Sequence, residues 1–106
     1  MDKNDLDYLA AAFRDLLNYS AENVLQPIDP FTYKTPEGDS CLHYAAGRGD
    51  VRSIQLLIDA GLDVNFQGDM GYTPLHWAAM SGKTDAVKKL LESGADINRF
   101  LSRPFS

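Results

Sequence analysis

The chain has a single cysteine, Cys41, among its 106 residues. One thiol cannot build an internal disulfide framework, so packing has to hold the fold, and a lone thiol fits a reducing compartment. No apolar run approaches the roughly 20 residues that a membrane-spanning helix needs. The opening residues Met1-Asp2-Lys3-Asn4-Asp5 are acidic and polar, unlike a secretion signal. These absences predict a soluble, cytoplasmic protein with no membrane partner. Histidine is scarce too, with only His43 and His76. Zinc takes three or four ligands, and only Cys41 lies near His43 in sequence, so no metal site is expected. Glycine occurs without the pattern of a phosphate-cradling loop, and Gly68 and Gly71 merely flank a loop tip.

Basic residues are outnumbered, ten Lys and Arg against fifteen Asp and Glu, for a net charge of -5. The imbalance is uneven: -4 over residues 1–37, -3 over 38–70 and +2 over 71–106. A chain acidic over most of its length repels a phosphate backbone, which argues against nucleic acid. A protein partner with a basic surface would be steered toward the first two thirds. The simpler reading is that the charge serves solubility.

What the sequence does contain is a repeat. Shifted by 33 residues, Leu42 and His43 fall on Leu75 and His76, and Ala45 and Ala46 fall on Ala78 and Ala79. Gly49, Leu57, Gly61, Asp63 and Asn65 fall on Gly82, Leu90, Gly94, Asp96 and Asn98. Nine of the 26 positions from Ser40 to Asn65 are therefore identical, far more than unrelated segments share. Each unit reads as helix, turn, helix, loop. In the second, Thr73 caps a helix that Pro74 opens, where a missing N–H costs nothing. That helix runs over Pro74–Met80 and stops at Gly82. A second spans Thr84–Ser93, with Val87, Leu90 and Leu91 as one apolar stripe. Gly94-Ala95-Asp96-Ile97-Asn98 then leads into an extended loop. The first unit repeats the plan, with helices over Cys41–Arg48 and Val51–Ala60.

The stretch Gly71-Tyr72-Thr73-Pro74-Leu75-His76-Trp77-Ala78-Ala79, with Leu90-Leu91 and Gly94-Ala95-Asp96-Ile97-Asn98 after it, closely resembles the ankyrin repeat. The likeness covers residues 38–103. The first unit departs from it by lacking the helix-starting proline and by carrying Leu62 for the usual alanine. The resemblance implies an all-α solenoid of helix-turn-helix units with short loop or hairpin tips. It also implies that His43 and His76 bond to loop backbone and tie neighbouring units together. The domain plan is a single domain of 1–106: an N-terminal helical cap or degenerate repeat over 1–37, repeats over 38–70 and 71–103, and a tail of 104–106.

A repeat cannot bury its own apolar face, so the ends of the stack matter. Leu6, Leu9, Ala10, Phe13, Leu16 and Leu17 form an amphipathic stripe, with Asn4 or Asp5 as the cap. A short helix over Ala21–Gln26 follows, capped by Ser20 and ended by Pro27 and Pro30. Asp29–Gly38 is its loop or hairpin. At the other end Phe100, Leu101 and Phe105 fold back as a small cap, or an apolar face stays bare and supports self-association.

No catalytic constellation is present. Cys41 and His43 are two apart on a helix and point to different faces. Asp63, Asn65, Asp96 and Asn98 are turn formers that bond their own backbone. The string Gly47-Arg48-Gly49-Asp50 falls on a helix–helix turn and carries no adhesion reading. The chain is therefore read as a protein-binding module, not an enzyme, with no cofactor. The resemblance implies contact through the concave face of loop tips and first helices. On this chain those positions are Pro36, Glu37, Asp39, Tyr44, Gly47 and Arg48, then Asp69, Met70, Tyr72, Trp77, Met80 and Ser81. Tyr44, Tyr72 and Trp77 stand out, because the framework does not demand aromatics there and such residues dominate interface energetics. Size and acidity also suit an inhibitor or immunity-type protein. The alternative is a self-associating structural protein acting through its C-terminal face.

Overall fold

The computed structural model describes residues 1–19 and 25–101. Its elements in chain order are α1 (Lys3–Ala12), β1 (Leu17–Tyr19), β2 (Leu25–Pro27), α2 (Cys41–Arg48), α3 (Val51–Asp59), a 3-10 turn (Asp69–Gly71), α4 (Pro74–Met80), α5 (Thr84–Glu92) and α6 (Ile97–Leu101). Two helix-turn-helix pairs, α2–α3 and α4–α5, stack on each other, first helix on first and second on second. Gly49 (φ 74°) and Gly82 (φ 68°) make the two hairpin turns in the left-handed region that glycine tolerates best.

Between the pairs, Ala45, Ala46 and Ala78 are fully buried and let α2 and α4 approach closely. Leu42, Ile54, Leu57, Leu75, Ala86 and Leu90 complete the core. The stripe read from the sequence is therefore right at Leu90 and half-right at its flanks: Val87 is half-buried and Leu91 exposed.

The N-terminal segment differs from its sequence reading in three ways. Helix α1 begins earlier than Asn4 or Asp5, because the Asp2 carboxylate caps it by accepting the Asp5 N–H at 2.9 Å. Its buried stripe is Leu9 and Phe13, with Ala12 and Leu16 half-buried, while Leu6 and Ala10 face water. The rotation follows from where α1 packs: it lies along α3, and Tyr8 donates to Asp50 Oδ1 at 2.6 Å. Leu17 has left the helix for β1, which pairs antiparallel with β2, Leu17 opposite Pro27 and Tyr19 opposite Leu25. Leu25 and Gln26, read as the end of a short helix, belong to that ribbon; the expected cap Ser20 and residues 21–24 lie outside the described residues. The turn from Asp29 and the hairpin closed by Lys34 opposite Ser40 agree with the loop expected over Asp29–Gly38.

At the other end, Ile97–Leu101 is a helical turn, not an extended loop. The Asp96 carboxylate accepts the Asn98 N–H at 2.9 Å and its carbonyl accepts the Arg99 N–H at 3.1 Å, which starts a helix. Ile97 and Leu101 are exposed, so Leu101 does not act as the expected cap; Phe105 lies outside the described residues. No helix among the described residues is long and apolar enough to cross a membrane.

Candidate functional site

The same short motif opens both first helices and sets the site. In α4 the Thr73 N–H donates to His76 Nδ1 at 2.9 Å, and the His76 N–H donates back to Thr73 Oγ1 at 3.4 Å. In α2 the Ser40 N–H donates to His43 Nδ1 at 3.1 Å. Histidine thus plays the part that glutamate or glutamine plays in an ordinary capping box. Because Nδ1 accepts, the proton of His43 is on Nε2, and that N–H donates to the Tyr72 carbonyl at 2.9 Å. The first histidine therefore ties α2 to the loop before α4. Burial dominates its titration and pushes it below its ordinary value, against the raising effect of the Tyr72 carbonyl.

With the histidines turned inward, the next residue on each helix looks out. Tyr44 and Trp77 meet edge to face, 5.2 Å between centroids at 64°. Trp77 also meets His43 at 5.5 Å. A Cβ at Gly47 would lie 3.2 Å from the Trp77 ring, so the small residue there is what lets the indole settle on α2. Tyr72 stacks on His76 at 5.1 Å and 30°. Tyr44, Tyr72 and Trp77 are all half-buried. Each is partly open to water and partly held by the rings packed against it.

The loop beside them is held from below. Asp39 is 7% exposed, and its carboxylate accepts the Asp69 N–H at 2.9 Å. The sequence places Asp39 among the contact positions; the structure puts it underneath, as the support of the 3-10 turn. A Cβ on Gly68 would collide with that carboxylate. The turn leaves Met70 at φ 58°, ψ 19°, a left-handed conformation uncommon for a side chain of its size. Met70 is 58% exposed there, and Met80 is 63% exposed at the end of α4. Asp69 and Ser81 are exposed as well.

Arg48 is on the surface but already engaged. It donates to the Ala12 carbonyl and to Asp15 Oδ2, both at 2.7 Å, and covers Phe13 and Tyr44. In the Gly47-Arg48-Gly49-Asp50 string, Arg48 fastens α1, Gly49 makes the turn, and Asp50 caps α3 through the Ser53 N–H. Cys41 is buried and its thiol is pushed up to about 12, which leaves it protonated and unreactive at neutral pH.

The residue that sequence reading missed is Phe66. Its ring meets His43 edge-on at 6.1 Å, and Lys34 Nζ lies 4.9 Å above it. The repeat hides this position, because its equivalent one period later is Arg99. Only the apolar residue in an otherwise polar loop could have marked it.

Comparison with known proteins bears on what this arrangement is. A family model described as ankyrin repeats, in three copies, matches residues 8–100. No curated protein matches the chain.

Proposed function

The chain belongs to the ankyrin repeat family, and from that premise we propose that it docks a protein partner on the surface around Tyr44, Tyr72 and Trp77. Repeats of this family generally bind other proteins. We take residues 1–37 as a cap or degenerate first repeat, followed by repeats over 38–70 and 71–103. The observation that carries the reading is the edge-to-face pair of Tyr44 and Trp77 on successive first helices. Aromatics already fixed by the protein lose little freedom on binding, and such residues dominate interface energetics. Met70 and Met80 flank them with adaptable apolar surface, and Asp69, Ser81 and the engaged Arg48 form a polar rim. The acidic charge of residues 1–70 suits a partner with a basic surface.

The test is affinity capture with wild type beside a Tyr72→Ala/Trp77→Ala double variant whose helix content is checked by circular dichroism. A partner held by wild type and lost by the folded variant supports the site. Equal capture by both overturns it.

A second reading, self-association through the C-terminal face, is favoured by a comparison within the molecule. Ala46, Gly47, Ile54 and Ile58 are buried or half-buried because the second pair covers them. Their equivalents Ala79, Met80, Val87 and Leu91 are each more open, Leu91 at 42%. Sedimentation over a range of concentrations tests it, since a monomer throughout removes this reading.

A further inference from the structure

A second surface lies away from the Tyr44–Trp77 pair and shares no residue with it. Where α1 passes the C-terminal end of α3, a cavity of about 430 Å³ opens among Leu6, Phe31 and Leu56, with Asp5 and Asp59 on its rim. Beside it a cavity of about 400 Å³ is lined by Tyr33, Leu62 and Phe66, with Lys34 and Asp63. Phe31 and Ala60 line both, so the two lie side by side along this edge and share a wall. Leu6, which lines the first, is 45% exposed, an apolar side chain left in water.

Charge selects the occupant. Three carboxylates, Asp5, Asp59 and Asp63, line the hollows, and α3 ends between Asp59 and Asp63, where its last carbonyls add partial negative charge. Among the described residues two side-chain cations are near, both engaged with aromatic rings, and Met1, which carries the terminal ammonium, lines the first hollow. Lys34 lies over Phe66, and Arg52 lies 4.2 Å from the Tyr8 centroid while meeting Asp5 at 3.3 Å. Among the described residues Asp59 accepts from the neutral Gln55 amide, at 2.7 Å, and meets no cation that would cancel its charge. Two apolar hollows with carboxylates around and between them fit a segment of complementary pattern.

We infer that this edge is a second docking site, for a partner segment that places two large apolar side chains in the hollows and arginine or lysine against Asp59 and Asp63. The site is independent of the Tyr44–Trp77 reading and allows the protein to hold two chains at once, one on each surface. The two apolar anchors give affinity, and the carboxylates set register and reject acidic segments.

The probe is an acetylated and amidated hexapeptide with leucines at both ends and arginines between, set against the same peptide with glutamates for the arginines. Both are titrated into the ¹⁵N-labelled full chain. The expected result is that the arginine peptide shifts the amides of Leu6, Phe31, Ala60 and Phe66, and the glutamate peptide does not. Leu6→Glu and Asp59→Lys, both at exposed positions, weaken binding about tenfold, equivalent to about 1.4 kcal/mol. Lys88→Ala, at an exposed position of α5, leaves it unchanged. Shifts centred on Trp77, equal binding of both peptides, or no shift at millimolar peptide each overturn the proposal. So does a peptide-free, concentration-dependent shift of the same amides, which would give the hollows to a second copy of this chain.

Discussion

His43 is enclosed and neutral, and its two ring nitrogens are spent on two different backbone groups, Ser40 N–H and Tyr72 C=O. Charging it would set a proton on Nδ1 against the Ser40 donor. Burial therefore holds its folded pKa below the ordinary 6.5. The unfolded chain takes up that proton at its ordinary value and the folded chain only at a lower one. The stability owed to neutral His43 is thus complete above pH 6.5 and falls as pH drops from there through the folded pKa. Two measurements check this: the NMR titration of His43 should have a midpoint below 6.5, and the urea midpoint should fall over the same window. A titration at or above the ordinary value contradicts the burial of the ring. Leu90 supplies the packing counterpart. It is fully buried, so Leu90→Ala should cost about 2–5 kcal/mol in denaturant unfolding. A loss of a few tenths would mean the second pair is loosely packed.

At the scale of elements, the helices of the two pairs were legible because period and punctuation agree. Ser40 and Thr73 precede the first helices, and Gly49 and Gly82 follow them, so α2 and α4 begin and end where the sequence places them. The N-terminal segment was less legible. Its apolar residues fit more than one helical face, and only the docking of α1 along α3 selects Leu9 and Phe13 over Leu6 and Ala10. The ribbon of β1 and β2 was read as helix because three-residue strands are too short to show a period of two. Asp39 was misplaced for a related reason: its role depends on a turn thirty residues away. Besides the burial of Leu9 and Phe13, Arg48 holds α1 in place by reaching Ala12 and Asp15 at once. Arg48 is partly exposed, so water screens the ion pair and Arg48→Ala should cost about 1 kcal/mol. The expected signature is local. Amide exchange should quicken several-fold in α1 and much less in α4 and α5. Equal acceleration everywhere would show that α1 folds only with the whole stack.

At the scale of the molecule, the chain is a short stack with two different ends and two different sides. The N-terminal end is closed by α1 and the residues around Phe13, whereas among the described residues Met80 and Leu91 stay open at the other. One side carries fixed aromatics, and one edge carries two adjacent apolar hollows bordered by Asp5, Asp59 and Asp63. The aromatic side is where we propose that a protein partner docks. Hydrogen exchange of the complex with the captured partner tests it most directly. Docking there should slow exchange over residues 44–48 and 69–81 and leave α5 little changed. Protection confined to α1, Phe31 and the end of α3, with none at α4, would contradict it.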